Sequence, residues 1–428
     1  MSLDACYVTE WDNAGVIWRW ILTFPLVSLA LHARLTHYDV KLTIDPQAQL
    51  LRGHESIRFQ QKSGPMQWQK QAGLNIRKHR FANGRINVGE TSVSTVIDVN
   101  DQHTVDLEYT ATATKGFRWL TESPGMFTAF DCAAWMVCAG SPEQRATLRL
   151  EIVTKNPELT AVGPGTQRGY WRDEEGQHWV FETPAPVQTY LWSFAVARLH
   201  QSRLGGFEVF APAPGRSTAL ERTAEAARFF REKTGVDAVR NGYRQVFMPT
   251  DGVFGQEAAG LALMTRAALR NLENGDVLLM AHELAHQWWG VSVGIRSWSD
   301  FWLNEGVAEY VSLLYLEHVD GKPAFQSEIE KLRRQFAELQ ANGKDRPLHF
   351  EGWKDATDAL GRLPYVKGAL FLHRLRSQVG DARFWQGMAH YSRRFNGKLV
   401  DSRDFQRAFE EAAKQDLQPA FNEVVYGR

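Results

Sequence analysis

The period of the hydrophobic pattern changes once along this chain, near residue 205, and no other feature constrains the fold as much. From 37 to about 200 the segments YDVKLTI, ESIRFQ, STVIDV, HTVDLEY, ATLRLEIVT and HWVFETP alternate or run β-branched, with Gly, Pro, Asn and Asp between them. A period of two gives each strand one apolar face, so this half reads as an all-β domain. Beyond it, LERTAEAARFFREKTG reads as an amphipathic helix and QVFMPT as a short strand. The remainder reads as almost wholly helical, with helices at about 323–342, 365–378, 381–394 and 402–415. With 428 residues, 44% of them hydrophobic, the chain has material for two or three cores.

Within the helical half, LLMAHELAHQWWG (278–290) sets two histidines and a glutamate in an apolar run, after Asp276 as a possible N-cap and before Gly290 as a possible stop. In a helix His282 and His286 lie one turn apart on one face, about 6 Å along the axis. That spacing lets two imidazoles reach one ion of zinc type. Glu283 is rotated away from the pair, placed to contact a water rather than the metal.

Zinc in a catalytic site usually has three protein ligands, so a third is expected nearby. SDFWLNEGVAEYVSLLYLEHVDG (299–321) reads as a helix capped by Ser299 or Asp300 and stopped near Gly321. Glu305 stands near its start, eighteen residues separating it from His286, beside an apolar stripe of Trp302, Leu303, Val307, Tyr310, Val311 and Leu314. It is the expected third ligand. Glu309, one turn on, could accept a hydrogen bond from the far nitrogen of a ligand histidine. The other histidines have no partner at ligand spacing.

HELAHQWWG followed by WLNEG at this spacing resembles the gluzincin metallopeptidases of the aminopeptidase N and leukotriene-epoxide hydrolase type. HYDVKLTIDPQAQLLRGHESIRF (37–59), TPAPVQTYLWSFAVARL (183–199), YVKGALFLHRL (365–375) and FNEVVYGR (421–428) are similar to further family segments and fall in the family's order. The resemblance implies a multidomain α+β fold, an N-terminal all-β saddle domain followed by a thermolysin-like, mostly helical zinc catalytic domain. It implies a saddle domain (34–203) and a catalytic domain (204–428), and the residues before them (1–33) are expected to be a signal or targeting segment. It also implies one Zn2+ per chain on His282, His286 and Glu305, with Glu283 as general base. Tyr365, sixty residues beyond Glu305 and followed by Lys367, Gly368 and Ala369, matches the family's catalytic tyrosine.

The substrate end matches less well. DGVFGQEAAGLALM (251–264) falls where the family has Gly-x-Met-Glu-Asn, which would make Glu257 the partner of a substrate's free ammonium. Here Gln256 replaces the methionine, Ala258 the asparagine, and glycine appears one position late, at 255. Counting back from Cys138 puts the family's substrate-contacting glutamine on Met126, which can only line an apolar pocket. The usual acidic pair before Pro142 is replaced by Gly140 and Ser141.

The expectation is a zinc-dependent aminopeptidase acting on peptides. Two alternatives stay open: a metallopeptidase of relaxed or endopeptidase-like specificity, and a non-catalytic peptide-binding relative. Charge balances at 49 basic and 49 acidic residues, which gives no support to nucleic-acid binding. VIWRWILTFPLVSLALHA (16–33) resembles a secretory signal peptide, although Asp4, Glu10 and Asp12 precede it. Export to the periplasm or medium is therefore expected, with a membrane anchor through this segment or a cytoplasmic location as alternatives. Three cysteines exclude a disulfide-dense scaffold; Cys132 and Cys138 could pair in an exported protein or remain free thiols. No oligomeric state follows from the sequence.

Overall fold

The computed structural model describes residues 34–61, 64–82, 84–97, 101–214, 218–252, 254–353 and 361–428. The apolar segment 16–33 lies outside them. The N-terminal part is built on a twisted sheet of β1 (Arg34–Asp45), β2 (Leu50–Gln61), β3 (Leu74–Phe81), β4 (Asp101–Ala111), β5 (Arg145–Thr154), β6 (Thr166–Arg172) and β7 (Gln177–Glu182), in the order β6-β7-β5-β1-β2-β4-β3. Only the β1–β5 pairing is parallel; the others are antiparallel. The expected alternation holds in β1, where Leu35, Tyr38, Val40, Leu42 and Ile44 are buried. Against this sheet packs the segment 125–139, which begins as the strand Gly125–Thr128 and is closed by a disulfide between Cys132 and Cys138.

The second half is less helical than its sequence pattern suggests. A five-stranded sheet precedes its helices: β8 (His200–Leu204), β9 (Phe207–Ala211), β10 (Tyr243–Met248), β11 (Gly255–Ala258) and β12 (Leu261–Thr265), in the order β8-β9-β10-β12-β11. QVFMPT gives β10, but GQEA and LALMT are short, mostly buried runs with no alternation, so periodicity cannot distinguish them from helix. The residue-203/204 division falls inside β8, which pairs with β9 as a hairpin, Leu204 opposite Phe207.

The helices are α1 (Thr218–Thr234), α2 (Arg266–Glu273), α3 (Leu278–Ala285), α4 (Trp302–Ala341), α5 (Arg362–Val379), α6 (Asp381–Arg394) and α7 (Ser402–Ala413). α3 is shorter than 278–290. Its N-cap is Val277, although Asp276 still accepts from the Leu278 N–H at 3.1 Å, and the chain leaves the helix at His286. What fixes this exit is the tryptophan pair: Trp288 donates to the Val236 carbonyl (2.9 Å) and Trp289 to the Ser392 hydroxyl (3.1 Å), both indoles fully buried. Removing such a side chain typically costs ~3–5 kcal/mol. α4 starts at Trp302 after a short turn, Trp298–Asp300, capped by Ser297 rather than by Ser299 or Asp300. It breaks at Gly321 (φ 82°) and resumes with Pro323 in the new first turn, so the expected stop and the expected next helix both lie in one long element.

Candidate metal centre and active-site cleft

Two helices and one strand edge bring the candidate residues together. α3 carries His282 and Glu283, and His286 caps it; α4 carries Glu305 and Glu309; β11 carries Glu257. α5 crosses α4 at a glycine contact, since a Cβ on Gly306 would stand 2.8 Å from the Gly368 Cα. The close approach sets Tyr365 against the site: its ring lies parallel to that of His282, centroids 5.9 Å apart at 11°. Gln287 ties α3 to the strand, donating to the Ala258 carbonyl (3.0 Å) and accepting from the Gly260 N–H (2.9 Å).

The Nε2 atoms of His282 and His286 are 3.0 Å apart, and each is 3.3 Å from Oε2 of Glu305. Nδ1 of His282 faces the Glu309 carboxylate at 3.2 Å, and Nδ1 of His286 faces the Trp289 carbonyl at 3.2 Å. Both partners are acceptors, so each Nδ1 carries the proton and each Nε2 presents a lone pair. Two lone pairs and a carboxylate oxygen that accepts no hydrogen bond thus converge in a buried place. A cation among them relieves the arrangement, and an N,N,O set on two imidazoles and one carboxylate suits zinc. The residues fit the metal that their spacing implies.

Electrostatics point the same way. Burial opposes ionisation of Glu305, but positive charge on His286 and His282, themselves raised by the carboxylates around them, holds its carboxyl down to about 2. The place therefore favours a cation, whether protons or a metal ion supply it. Burial raises Glu283 to about 7 against the pull of both histidines, and raises Glu257 to about 8, with Glu305 and Glu283 adding to the rise. Burial, with the same glutamates, keeps the Tyr365 phenol well above its ordinary value, so it remains a donor. Glu257, Glu283 and His286 also place ligand-type atoms within 4.8 Å of one another. Oε2 of Glu283 is buried and without a partner.

A cavity of about 330 Å³ opens onto these groups, and its walls include Phe130, Gly255, Glu257, Glu283, Glu305, Leu278, Leu279 and Tyr365. The structure does not bring Met126 or Ala258 to it. The Met126 side chain is fully buried in the N-terminal core, on a strand paired with Val196. The Ala258 methyl packs among Val246, Leu261 and Leu263, and only its carbonyl serves the site, through Gln287. The residue of the 125–139 segment that reaches the cleft is Phe130, four positions beyond Met126. It has a left-handed backbone, φ 54°, uncommon for an aromatic residue and costing ~1–3 kcal/mol where it occurs. Nothing in the sequence marks that conformation. Gly255, which the sequence shows only as a displaced motif glycine, leaves room for the base: a Cβ there would lie 2.2 Å from Oε1 of Glu283. A glycine two residues before Glu257, on the same strand, was the available signal.

Residues 218–423 match the profile of the peptidase family M1 domain. This stretch, just under half of the chain, is similar to M1 domains. Among curated relatives, leucine aminopeptidase 2 of Aspergillus clavatus is 26% identical over 335 residues, covering 73% of this chain and 54% of the relative. Leucine aminopeptidase 2 of Aspergillus terreus is 27% identical over 324 residues, covering 70% and 52%. The chain thus spans about half the length of the curated relatives it matches. Among solved structures, yeast LTA4 hydrolase superposes with a TM-score of 0.76 at 20% identity, over 92% of this chain and 68% of that one. A mutant M1 zinc metallopeptidase from Deinococcus radiodurans, bound to a Tyr-Ser-Ala substrate, gives 0.75 at 22% identity, over 92% and 94%. These likenesses establish the two-part architecture, a β-rich N-terminal half and a largely helical second half.

Proposed function

We propose that this protein is a zinc-dependent aminopeptidase that holds one metal ion on His282, His286 and Glu305. The observation that carries the reading is the convergence of both Nε2 atoms and the Glu305 Oε2, with each Nδ1 committed to an acceptor. Zinc bound there supplies Lewis-acid polarisation of a carbonyl and lowers the pKa of a water toward ~7. Glu283, with a carboxyl near neutrality and no partner for Oε2, accepts the attacking water's proton and returns it to the leaving amine. The Tyr365 phenol donates to the oxyanion that develops on the scissile carbonyl. Glu257 and Glu305, both buried beside the cleft, accept from the substrate's ammonium, a cation that favours the ionised form of Glu257 where burial alone opposes it.

The endopeptidase-like alternative differs in one requirement, the free amine. A panel of aminoacyl amides and their N-acetyl counterparts therefore tests the reading. Cleavage of the free amines, abolished by chelation and restored by zinc, with little turnover of the acetylated set, is the expected result. Equal cleavage of both sets refutes the aminopeptidase reading and leaves an endopeptidase.

We further propose that the protein is exported. The Cys132–Cys138 disulfide supports an oxidising compartment, and the apolar segment at 16–33 supplies the type of signal required. Among the described residues no helix is long and apolar enough to cross a membrane. A mature amino terminus near Arg34 is expected from the native host; an intact segment on cytoplasmic protein contradicts export.

A further inference from the structure

The carbon surface that the cleft offers a substrate side chain comes from few residues. Glu257, Asp276, Glu283, Glu309 and Ser312 bring polar groups to it, and its wholly apolar side chains are Phe130, Leu278 and Leu279. Of these only Phe130 comes from the N-terminal half, and it does so from a left-handed backbone (φ 54°).

Several contacts hold it there. Asp131, next along, caps the turn Cys132–Ala134 by accepting from the Ala133 N–H at 2.9 Å. Cys138, bonded to Cys132, exchanges backbone hydrogen bonds with Gln69 (2.7 and 3.0 Å), and Gln71 donates to the Ala133 carbonyl (2.7 Å). The buried carboxyl of Glu55 accepts from the Val137 N–H at 2.9 Å. On its other side the Phe130 ring meets Phe254 edge to face, centroids 5.8 Å apart, and Phe254 in turn leans on Phe127 at 5.8 Å. Phe254 stands where the Gly-x-Met-Glu-Asn pattern has its glycine, because here glycine comes one position late. The departure from the pattern and the strained aromatic therefore touch each other.

We propose that Phe130, buttressed by Phe254, is the specificity-determining residue of the cleft, selecting peptides whose first side chain is large and apolar. This rests on the aminopeptidase reading above. A local strain kept at a cleft wall by a disulfide, a cap, three backbone hydrogen bonds and one to the Glu55 carboxyl has a functional rather than a packing rationale. Packing alone would be served as well by a residue with a relaxed backbone.

The test is kcat/KM of the zinc-loaded protein on phenylalanyl, leucyl, alanyl and lysyl fluorogenic amides, for wild type, Phe130→Ala and Phe130→Gly. Apolar pockets discriminate by roughly ten- to two-hundredfold per methylene. The wild type is expected to favour the phenylalanyl and leucyl amides over the alanyl by at least about tenfold, and both variants to bring that ratio within about threefold. Phe130→Gly relieves the left-handed backbone, so its Tm should equal or exceed that of wild type while selectivity is lost. A packing role predicts the reverse, a lowered Tm with an unchanged ratio, and that result would overturn the inference. A wild type that prefers lysyl amides, drawn by the carboxylates of the cleft, would also overturn it. Turnover of none of the four amides would overturn the aminopeptidase reading and this inference together.

Discussion

A single methyl group at Gly255 should separate the base from the fold. In Gly255→Ala the new Cβ falls 2.2 Å from Oε1 and 2.9 Å from the carboxyl carbon of Glu283, and 2.7 Å from Cδ1 of Leu279. Ordinary contact between heavy atoms is about 3.5 Å or more, so the Glu283 carboxylate must retreat by roughly 1 Å. All three atoms are far ends of side chains, which can swing aside without moving backbone. Stability should therefore change by less than about 1 kcal/mol, below the ~1–3 kcal/mol of overpacking inside a rigid core. Catalysis is less forgiving, because a misplacement of ~1 Å can cost about a hundredfold in rate. The three atoms nearest the methyl belong to Glu283 and Leu279 and none to His282, His286 or Glu305, so zinc should stay bound. The assay is kcat on an aminoacyl amide beside Tm and zinc content. Near-native Tm and zinc with kcat reduced by about a hundredfold is the expected pattern. A kcat within about threefold of wild type would refute the placement of Glu283 as base.

Other consequences are simpler to read. Tyr365→Phe removes one oxyanion donor and should lower kcat by about 10²–10³ with KM little changed; an unaltered kcat returns the residue to a packing role. Glu309→Ala frees Nδ1 of His282 and should weaken zinc affinity by about 10- to 100-fold in a competitive chelator titration. His349 is held above its ordinary pKa first by its 2.8 Å hydrogen bond to buried Asp300, so its stabilising effect is whole below about pH 6.5 and fades as pH rises through the raised folded value. The Tm gap between wild type and His349→Gln should accordingly be wider near pH 5 than near pH 9; a gap that widens on the alkaline side contradicts the assignment.

How far the sequence could be read depended on whether a feature has a period. His282 and His286 were legible because four residues make one helical turn, and Glu305 because a zinc site with two ligands demands a third close by. The N-terminal strands were legible by alternation, and Gly321 by its place after an apolar stripe. β11 and β12 were not, being short and mostly buried, and they carry Glu257 into the cleft. Counting along a sequence also failed at Met126, because the segment turns through a left-handed residue that no propensity assigns to phenylalanine. The contact of Gly306 with Gly368 has both partners visible in WLNEG and YVKGA, yet only the crossing of α4 and α5 shows that they touch.

The most direct test of the account is the zinc content of Glu283→Gln, measured on the same sample as its turnover. The variant removes the proton acceptor and keeps all three ligands. About one zinc per chain with kcat lowered by 10²–10⁴ is the predicted result, the range expected for a lost general base. Zinc retained with wild-type turnover, or zinc lost along with activity, would contradict the division of roles between Glu283 and the triad of His282, His286 and Glu305.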